Sequence, residues 1–104
     1  MDMKALMRQA QEMQSKMKKI EEEVAVSEFE GASGGGLVKV IIFGNGIVKK
    51  IIIDDSLIKL EEKPVLEDLI IVAINLAKKK ADEGSQEMLK KVTAGIPLPA
   101  GFKF

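Results

Sequence analysis

Cysteine, histidine, tryptophan and tyrosine are all absent from this 104-residue sequence, and phenylalanine occurs only four times. Without cysteine or histidine there is no thiolate nucleophile, no Ser-His-Asp triad, no imidazole base and no zinc site of the usual kinds. Disulfides are excluded too. Only carboxylates, Lys, Ser and Thr remain to do chemistry, so an enzyme is the least favoured class and neither a cofactor nor a metal is expected. Long apolar runs are also missing. The longest, Leu69 to Leu76, contains Asn75 and falls far short of the roughly 20 residues a membrane span needs. The opening Met1-Asp2-Met3-Lys4 has no apolar stretch before a small-residue cleavage site. A cytoplasmic protein with no membrane partner is the expectation. Charge of one sign is lacking as well, because 16 Lys and Arg balance 16 Asp and Glu. At face value that neutrality argues against a nucleic-acid partner, since a phosphate-tracking surface usually leaves a basic excess.

The hydrophobic content is 46% and the charged content 31%, which describes an ordinary globular chain. Its length suits a single domain over 1–104. Met3, Leu6, Ala10, Met13, Met17, Ile20 and Val24 are spaced alternately by three and four residues, a heptad seam that predicts one helix over the first 24 residues. Asp2 is placed to cap it. The Met-rich seam reads as core or helix pairing. Val24, Val26 and Phe29 then suggest a strand with an irregular end. Gly31-Ala32-Ser33-Gly34-Gly35-Gly36 follows, and two β-branched runs, 37–43 and 47–53, flank Gly44-Asn45-Gly46. That turn accepts positive φ and predicts a hairpin. Lys39, Lys49 and Lys50 interrupt the runs and mark a solvent face or edge.

Asp54-Asp55-Ser56-Leu57 predicts a capped turn into a short helical piece. Pro64 suits a first helical position, with Glu67 and Asp68 in the first turn. From there to about Val92 the pattern is helical, with Leu66, Ile70, Ala73, Ala77, Ala81, Met88 and Val92 on one face and Gly84 as a weak point. Leu69 to Ile74 is apolar all round and calls for cover on more than one side. A three-stranded sheet covers one side, and a second subunit is the natural cover for another. A two-fold homodimer is therefore expected, with Leu69, Ile70, Ile71, Val72 and Ile74 at its interface. The tail 93–104 opens with a helix-ending glycine, and its Pro spacing favours an extended course. Ile96, Leu98, Phe102 and Phe104 are expected to pack it down. The architecture is thus α+β: long N-terminal helix, three-stranded antiparallel sheet, short helical turn, long C-terminal helix and extended tail, as a dimer.

Few motifs offer chemistry. Gly31 to Gly36 lacks the Lys-Ser/Thr and the following helix of a phosphate loop, and reads as a flexible strand connection. Asp54 and Asp55 are adjacent and read as capping residues. The basic residues become informative once placed. Segment 1–20 nets +3 from Lys4, Arg8, Lys16, Lys18 and Lys19, segment 21–33 nets −5, and segment 69–91 nets +2 through Lys78, Lys79, Lys80, Lys90 and Lys91. Neutrality is a cancellation between basic helices and acidic element ends. From pattern alone, these cations read either as solvated surface or as phosphate contacts. No aromatic platform exists for stacking single-stranded bases, and no Arg-rich helix exists for reading base edges, so backbone contact with weak sequence preference is the form nucleic-acid binding would take.

Met7-Arg8-Gln9-Ala10-Gln11-Glu12-Met13-Gln14-Ser15-Lys16-Met17, Gly31-Ala32-Ser33-Gly34-Gly35-Gly36-Leu37-Val38-Lys39-Val40, Ile53-Asp54-Asp55-Ser56-Leu57, Leu66-Glu67-Asp68-Leu69-Ile70 and Pro97-Leu98-Pro99-Ala100-Gly101-Phe102 follow one another in an order that resembles the YbaB/EbfC family of bacterial nucleoid-associated proteins over essentially the full chain. The resemblance implies a small α+β protein that dimerises through its sheet and long-helix region, with helices projecting like tweezers to hold double-stranded DNA in the nucleoid, and no catalytic residues. It implies DNA contacts on the projecting helices. Charge places these first at Lys4, Arg8, Lys16, Lys18 and Lys19, then at Lys78 to Lys80, Lys90 and Lys91. A role in chromosome organisation and gene regulation follows. The alternative is an adaptor for recombination or replication proteins, whose partner helix docks on the Met-rich first helix. Gly84-Ser85 interrupts a helix that is more often unbroken in the family.

Overall fold

The computed structural model describes residues 2–94, with side chains as far as Lys91. Helix α1, Met3–Val26, is capped by Asp2, whose Oδ1 accepts the Lys4 N–H at 3.0 Å. Strands β1 (Glu28–Ser33), β2 (Val38–Phe43) and β3 (Val48–Ile53) form one antiparallel sheet in the order β1-β2-β3. Two short 3-10 turns, Asp55–Leu57 and Leu60–Glu62, lead into helix α2, Lys63–Ala94. The expected α+β architecture is present, with the tail beyond Ala94 outside the described residues.

The end of α1 differs from the sequence reading. Val24 and Val26 are helical rather than the start of a strand. Val24 continues the seam one turn beyond Ile20 and is buried, and the helix stops only at Ser27, whose Oγ donates to the Glu23 carbonyl at 2.7 Å. The glycines 34–36 form a well-defined turn with φ of 60°, 68° and 96°, values that side chains rarely tolerate. They replace the loose connection that the composition suggested.

The hairpin forms as expected. Asn45 Oδ1 accepts the Ile47 N–H at 3.0 Å, Gly46 takes φ 89°, and an irregularity between Ile41 and Ile42 shifts the β2/β3 register. On one face Val38, Val40 and Ile42 are fully buried beneath Ala73, Ala77 and Ala81 of α2. Lys39, Lys49 and Lys50 are exposed. Alternation of inward and outward residues along β2 explains the buried set and Lys39, while Lys49 and Lys50 lie on β3, which α2 does not cover.

The small residues of α2 let it settle directly on β1. A Cβ on Gly31 would collide with the Ala73 carbonyl and the Ala77 amide, and one on Gly44 would collide with the Val24 carbonyl. Ser33 Oγ donates to the Leu69 carbonyl at 2.6 Å and ties strand to helix. Gly84 does not break α2, which runs on to Ala94. A Cβ there would strike the Phe29 ring, so this glycine makes room for an aromatic side chain. The helix starts one residue before Pro64, at Lys63.

The molecule is long. Its radius of gyration is 19.9 Å and its principal extents are 71 × 23 × 16 Å, whereas a compact chain of this length would have a radius of about 13 Å.

Candidate nucleic-acid interface

Charge on α1 is positioned by the seam opposite it. Along β1, Ser33 sits at Leu69, Gly31 at Ala73 and Ala77, and Phe29 at Gly84, so chain and helix run antiparallel. Helix α1 continues that course. Ile20, Glu21, Val24 and Ala25 line a groove of about 260 Å³ together with Gly44, Asn45, Ser85 and Leu89. Met13, Met17 and Ile20 are half-buried, whereas residues 2–12 are exposed on every side. The lower half of α1 is docked and the upper half projects as an arm.

Successive residues of a helix turn by about 100°, which sets Lys4, Arg8 and Lys19 on the face opposite the seam, with Lys16 and Lys18 to either side. All five are exposed, and among the described residues none of them forms an ion pair. Lys49 differs, because its Nζ lies 2.7 Å from Glu28 Oε1 and 5.9 Å from the centroid of the Phe43 ring. A solvated cation without a carboxylate can exchange its counterions for phosphate without first breaking a bond inside the protein.

The second basic group divides. Counting about 1.5 Å per residue along the antiparallel helices, Lys19 stands level with Lys90, so Lys16, Lys18, Lys19, Lys90 and Lys91 occupy the same stretch of the molecule, where arm meets body, on different sides of the two helices. Lys78, Lys79 and Lys80 lie about 15 Å away along α2. They are exposed and point around more than half its circumference, with Asp82, Glu83 and Glu87 in the next two turns. By level along the helices, the Lys90 pair stands with Lys16, Lys18 and Lys19, and the triple lysine stands apart.

The expected interface set also divides. Leu69, Ile70 and Ile74 pack against the chain's own core, while Ile71 and Val72 face outward, 58% and 47% exposed. Composition signalled an all-round apolar segment but not which side the sheet takes. Further exposed apolar residues escaped sequence reasoning. Ile51 and Ile52 on β3, and Ile58 and Leu60 in the link to α2, are open because α2 covers β1 and β2 instead of β3. A β-branched run looks the same whether its strand is central or at an edge. The edge position of β3 followed from topology.

Asp54 caps the turn after β3 as its spacing implied. Its Oδ2 accepts from the Ser56 hydroxyl at 2.6 Å and the Ser56 N–H at 3.0 Å, and these two bonds hold its pKa below the ordinary value.

Residues 1–96 match the YbaB/EbfC DNA-binding family. The chain belongs to this family. A nucleoid-associated protein of Rickettsia akari is 54% identical over 97 residues, covering 93% of this chain and 91% of the relative. One from Rickettsia typhi is 50% identical over the same shares. The fold is similar to the crystal structure of an uncharacterized protein from Helicobacter pylori, with a TM-score of 0.72 at 28% identity, over 89% of this chain and 98% of the other. The family is one of DNA-binding proteins, and these Rickettsia relatives are named nucleoid-associated proteins. Among the described residues, no helix is long and apolar enough to cross a membrane.

Proposed function

We propose that two copies of this chain form a two-fold dimer that holds duplex DNA between projecting α1 arms, with little preference for sequence. The observation that carries this reading is the arm itself: residues 2–12 are exposed all round, with Lys4 and Arg8 unpaired on the side away from the seam. Lys16, Lys18, Lys19, Lys90 and Lys91 form the second part of the contact at the base of the arm. Lys78 to Lys80, amid carboxylates, contribute less. Binding through phosphates suits a protein that organises the chromosome in the nucleoid and regulates genes by occupying it.

Dimerisation is supported by a large total exposed surface and by the large apolar side chains on it. The chain presents 7893 Å² to solvent, against roughly 5,800 Å² for a compact monomer of its mass. Ile51 and Ile52 on the uncovered edge strand, with Ile71, Val72 and Leu76 on α2, form the natural seat of a second copy. Burying that edge also removes a strand that would otherwise template aggregation.

The test is a gel-shift salt titration of the parent beside the variant Lys16→Glu, Lys18→Glu, Lys19→Glu. Affinity of the parent should fall steeply with salt, and the variant should dimerise normally and bind weakly. Parental affinity in the variant refutes this assignment of contacts, and salt-independent binding by the parent refutes the phosphate mechanism. A second reading, an adaptor for recombination or replication proteins, draws on the uncovered Met3, Leu6 and Met7, which are 71%, 41% and 61% exposed. It predicts that a partner helix protects those residues.

A further inference from the structure

Five of the six methionines fall within the first 17 residues, and the sequence has no cysteine, histidine, tryptophan or tyrosine to react with an oxidant in their place. Oxidant chemistry on this chain is therefore methionine chemistry, concentrated on α1. Met3, Met7, Met13 and Met17 form two pairs at i, i+4 spacing and share about a third of the helix circumference. Leucine has a similar volume and helix propensity, so packing alone does not call for sulfur. The two pairs differ in setting. Met3 and Met7 are exposed on the projecting length of the arm, whereas Met13 and Met17 are half-buried, with Met17 one turn above Ile20.

We propose that α1 is a two-stage methionine oxidation site: hydrogen peroxide converts Met3 and Met7 first, with the helix still docked, and conversion of Met13 and Met17 then releases the length above Ile20 from α2. In each step the thioether sulfur gives an electron pair to one peroxide oxygen, and an S–O bond forms as the O–O bond breaks. The displaced hydroxide takes the proton of the transferred hydroxyl and leaves as water. Sulfur is oxidised by two electrons and the peroxide is reduced by two. The sulfoxide that results is polar where the thioether was apolar. At Met3 and Met7 water solvates it. On the docked length, where Ile20, Val24 and Leu89 line the space between the helices, a sulfoxide favours water over burial and so favours the undocked helix. Release stops at the foot of α1. There Val24 is buried, the Gly44 N–H donates to the Ser27 carbonyl at 2.9 Å and Ser27 Oγ donates to the Glu23 carbonyl, contacts that involve no methionine. Lys4 and Arg8 take no part in these steps, so the oxidation does not depend on DNA binding.

The test treats the full-length chain with a graded series of hydrogen peroxide. Peptide mass spectrometry gives the sulfoxide content of each methionine, and amide hydrogen exchange is followed at residues 13–20. Met3 and Met7 should oxidise several-fold faster than Met13 and Met17. Exchange should keep its parental rate while only the first pair is converted, then rise about ten-fold or more with the second pair, and the Leu89 methyl resonances should shift in step. Met13→Leu with Met17→Leu should convert Met3 and Met7 as before and keep slow exchange throughout the series. Methionine sulfoxide reductases with a dithiol should return the oxidised parent to slow exchange. Equal oxidation rates at all four methionines overturn the two-stage order. Sulfoxide at Met13 and Met17 with parental exchange, or faster exchange with the Leu89 methyls unmoved, overturns the release from α2. Faster exchange in the leucine variant assigns the effect to half-buried Met88 and also overturns the proposal. Exchange that stays fast after the sulfoxides are reduced marks damage rather than a reversible modification, and contradicts it as well.

Discussion

Gly84→Ala sets two known effects against each other at one position. In a helix interior, alanine is favoured over glycine by about 0.8–1.0 kcal/mol. In this chain the new Cβ would stand 2.9 Å from Phe29 Cζ and nearer still to Cε1. Phe29 packs against the core, so its ring cannot swing into water without exposing apolar surface. Overpacking of this kind costs about 1–3 kcal/mol. The expected net effect is destabilisation by about 1 kcal/mol, a drop in melting temperature of about 4–8 °C for a chain of this size. Phe29→Leu removes the obstructing ring edge, and in that background Gly84→Ala should become stabilising by nearly the full propensity difference. Urea unfolding followed by far-UV circular dichroism gives the four stabilities of the cycle, at fixed chain concentration because a dimer's stability depends on it. A coupling energy of about 1–3 kcal/mol between the two positions is expected. If Gly84→Ala alone stabilises the protein and the two changes simply add, the glycine is not there for the phenylalanine, and this account of α2 is wrong.

Gly31→Ala should be worse, by about 3 kcal/mol, because its Cβ would meet the Ala73 carbonyl and Ala77 amide, backbone atoms that no rotamer change can move; denaturant unfolding within about 0.5 kcal/mol of the parent contradicts this close approach of helix and strand. Ile71→Asp with Val72→Asp places charges on the outward side of α2 and should convert the proposed dimer to monomer in sedimentation equilibrium while leaving far-UV dichroism intact. An unaltered dimer moves the interface elsewhere. The Asp54 carboxyl, held below its ordinary pKa by Ser56, favours the folded state at neutral pH, and that contribution is lost as pH falls through the range where unfolded Asp and then folded Asp54 protonate. Ser56→Ala should move the Asp54 titration, followed by carboxyl NMR, up toward the ordinary value; no movement would mean that the hydroxyl bond is absent in solution.

Much of this architecture can be read from residue spacing, because the elements are long and each pattern is local. The seam from Met3 to Val24, the hairpin around Gly44-Asn45-Gly46 and the face from Leu66 to Met88 each place an element. The sequence is less informative where one residue serves two elements. Val24 belongs equally to a helical seam and to an alternating strand, and only the buried position beside Gly44 decides for the helix. Gly84 reads as a helix breaker until its contact with Phe29, 55 residues away, is known. The interface set divides for a similar reason. Leu69, Ile70, Ile71, Val72 and Ile74 are chemically alike, and the sheet's position alone turns three of them inward. For the basic residues, the spacing of Lys4 and Arg8 on a helix is local and legible. That Lys90 stands level with Lys19 depends on how two helices pass each other.

The central claim, that α1 carries the phosphate contacts, is tested most directly by the salt dependence of duplex affinity. Anisotropy titrations of a labelled duplex over a series of salt concentrations give the slope of log K against log salt, about −0.9 for each phosphate neutralised. In a two-fold dimer, Lys4→Ala with Arg8→Ala removes four cations, so the slope should become shallower by about 3.6. Lys49→Ala, which removes a lysine already held by Glu28, should leave it unchanged. A parental slope in the Lys4/Arg8 variant, with affinity intact, would contradict the account.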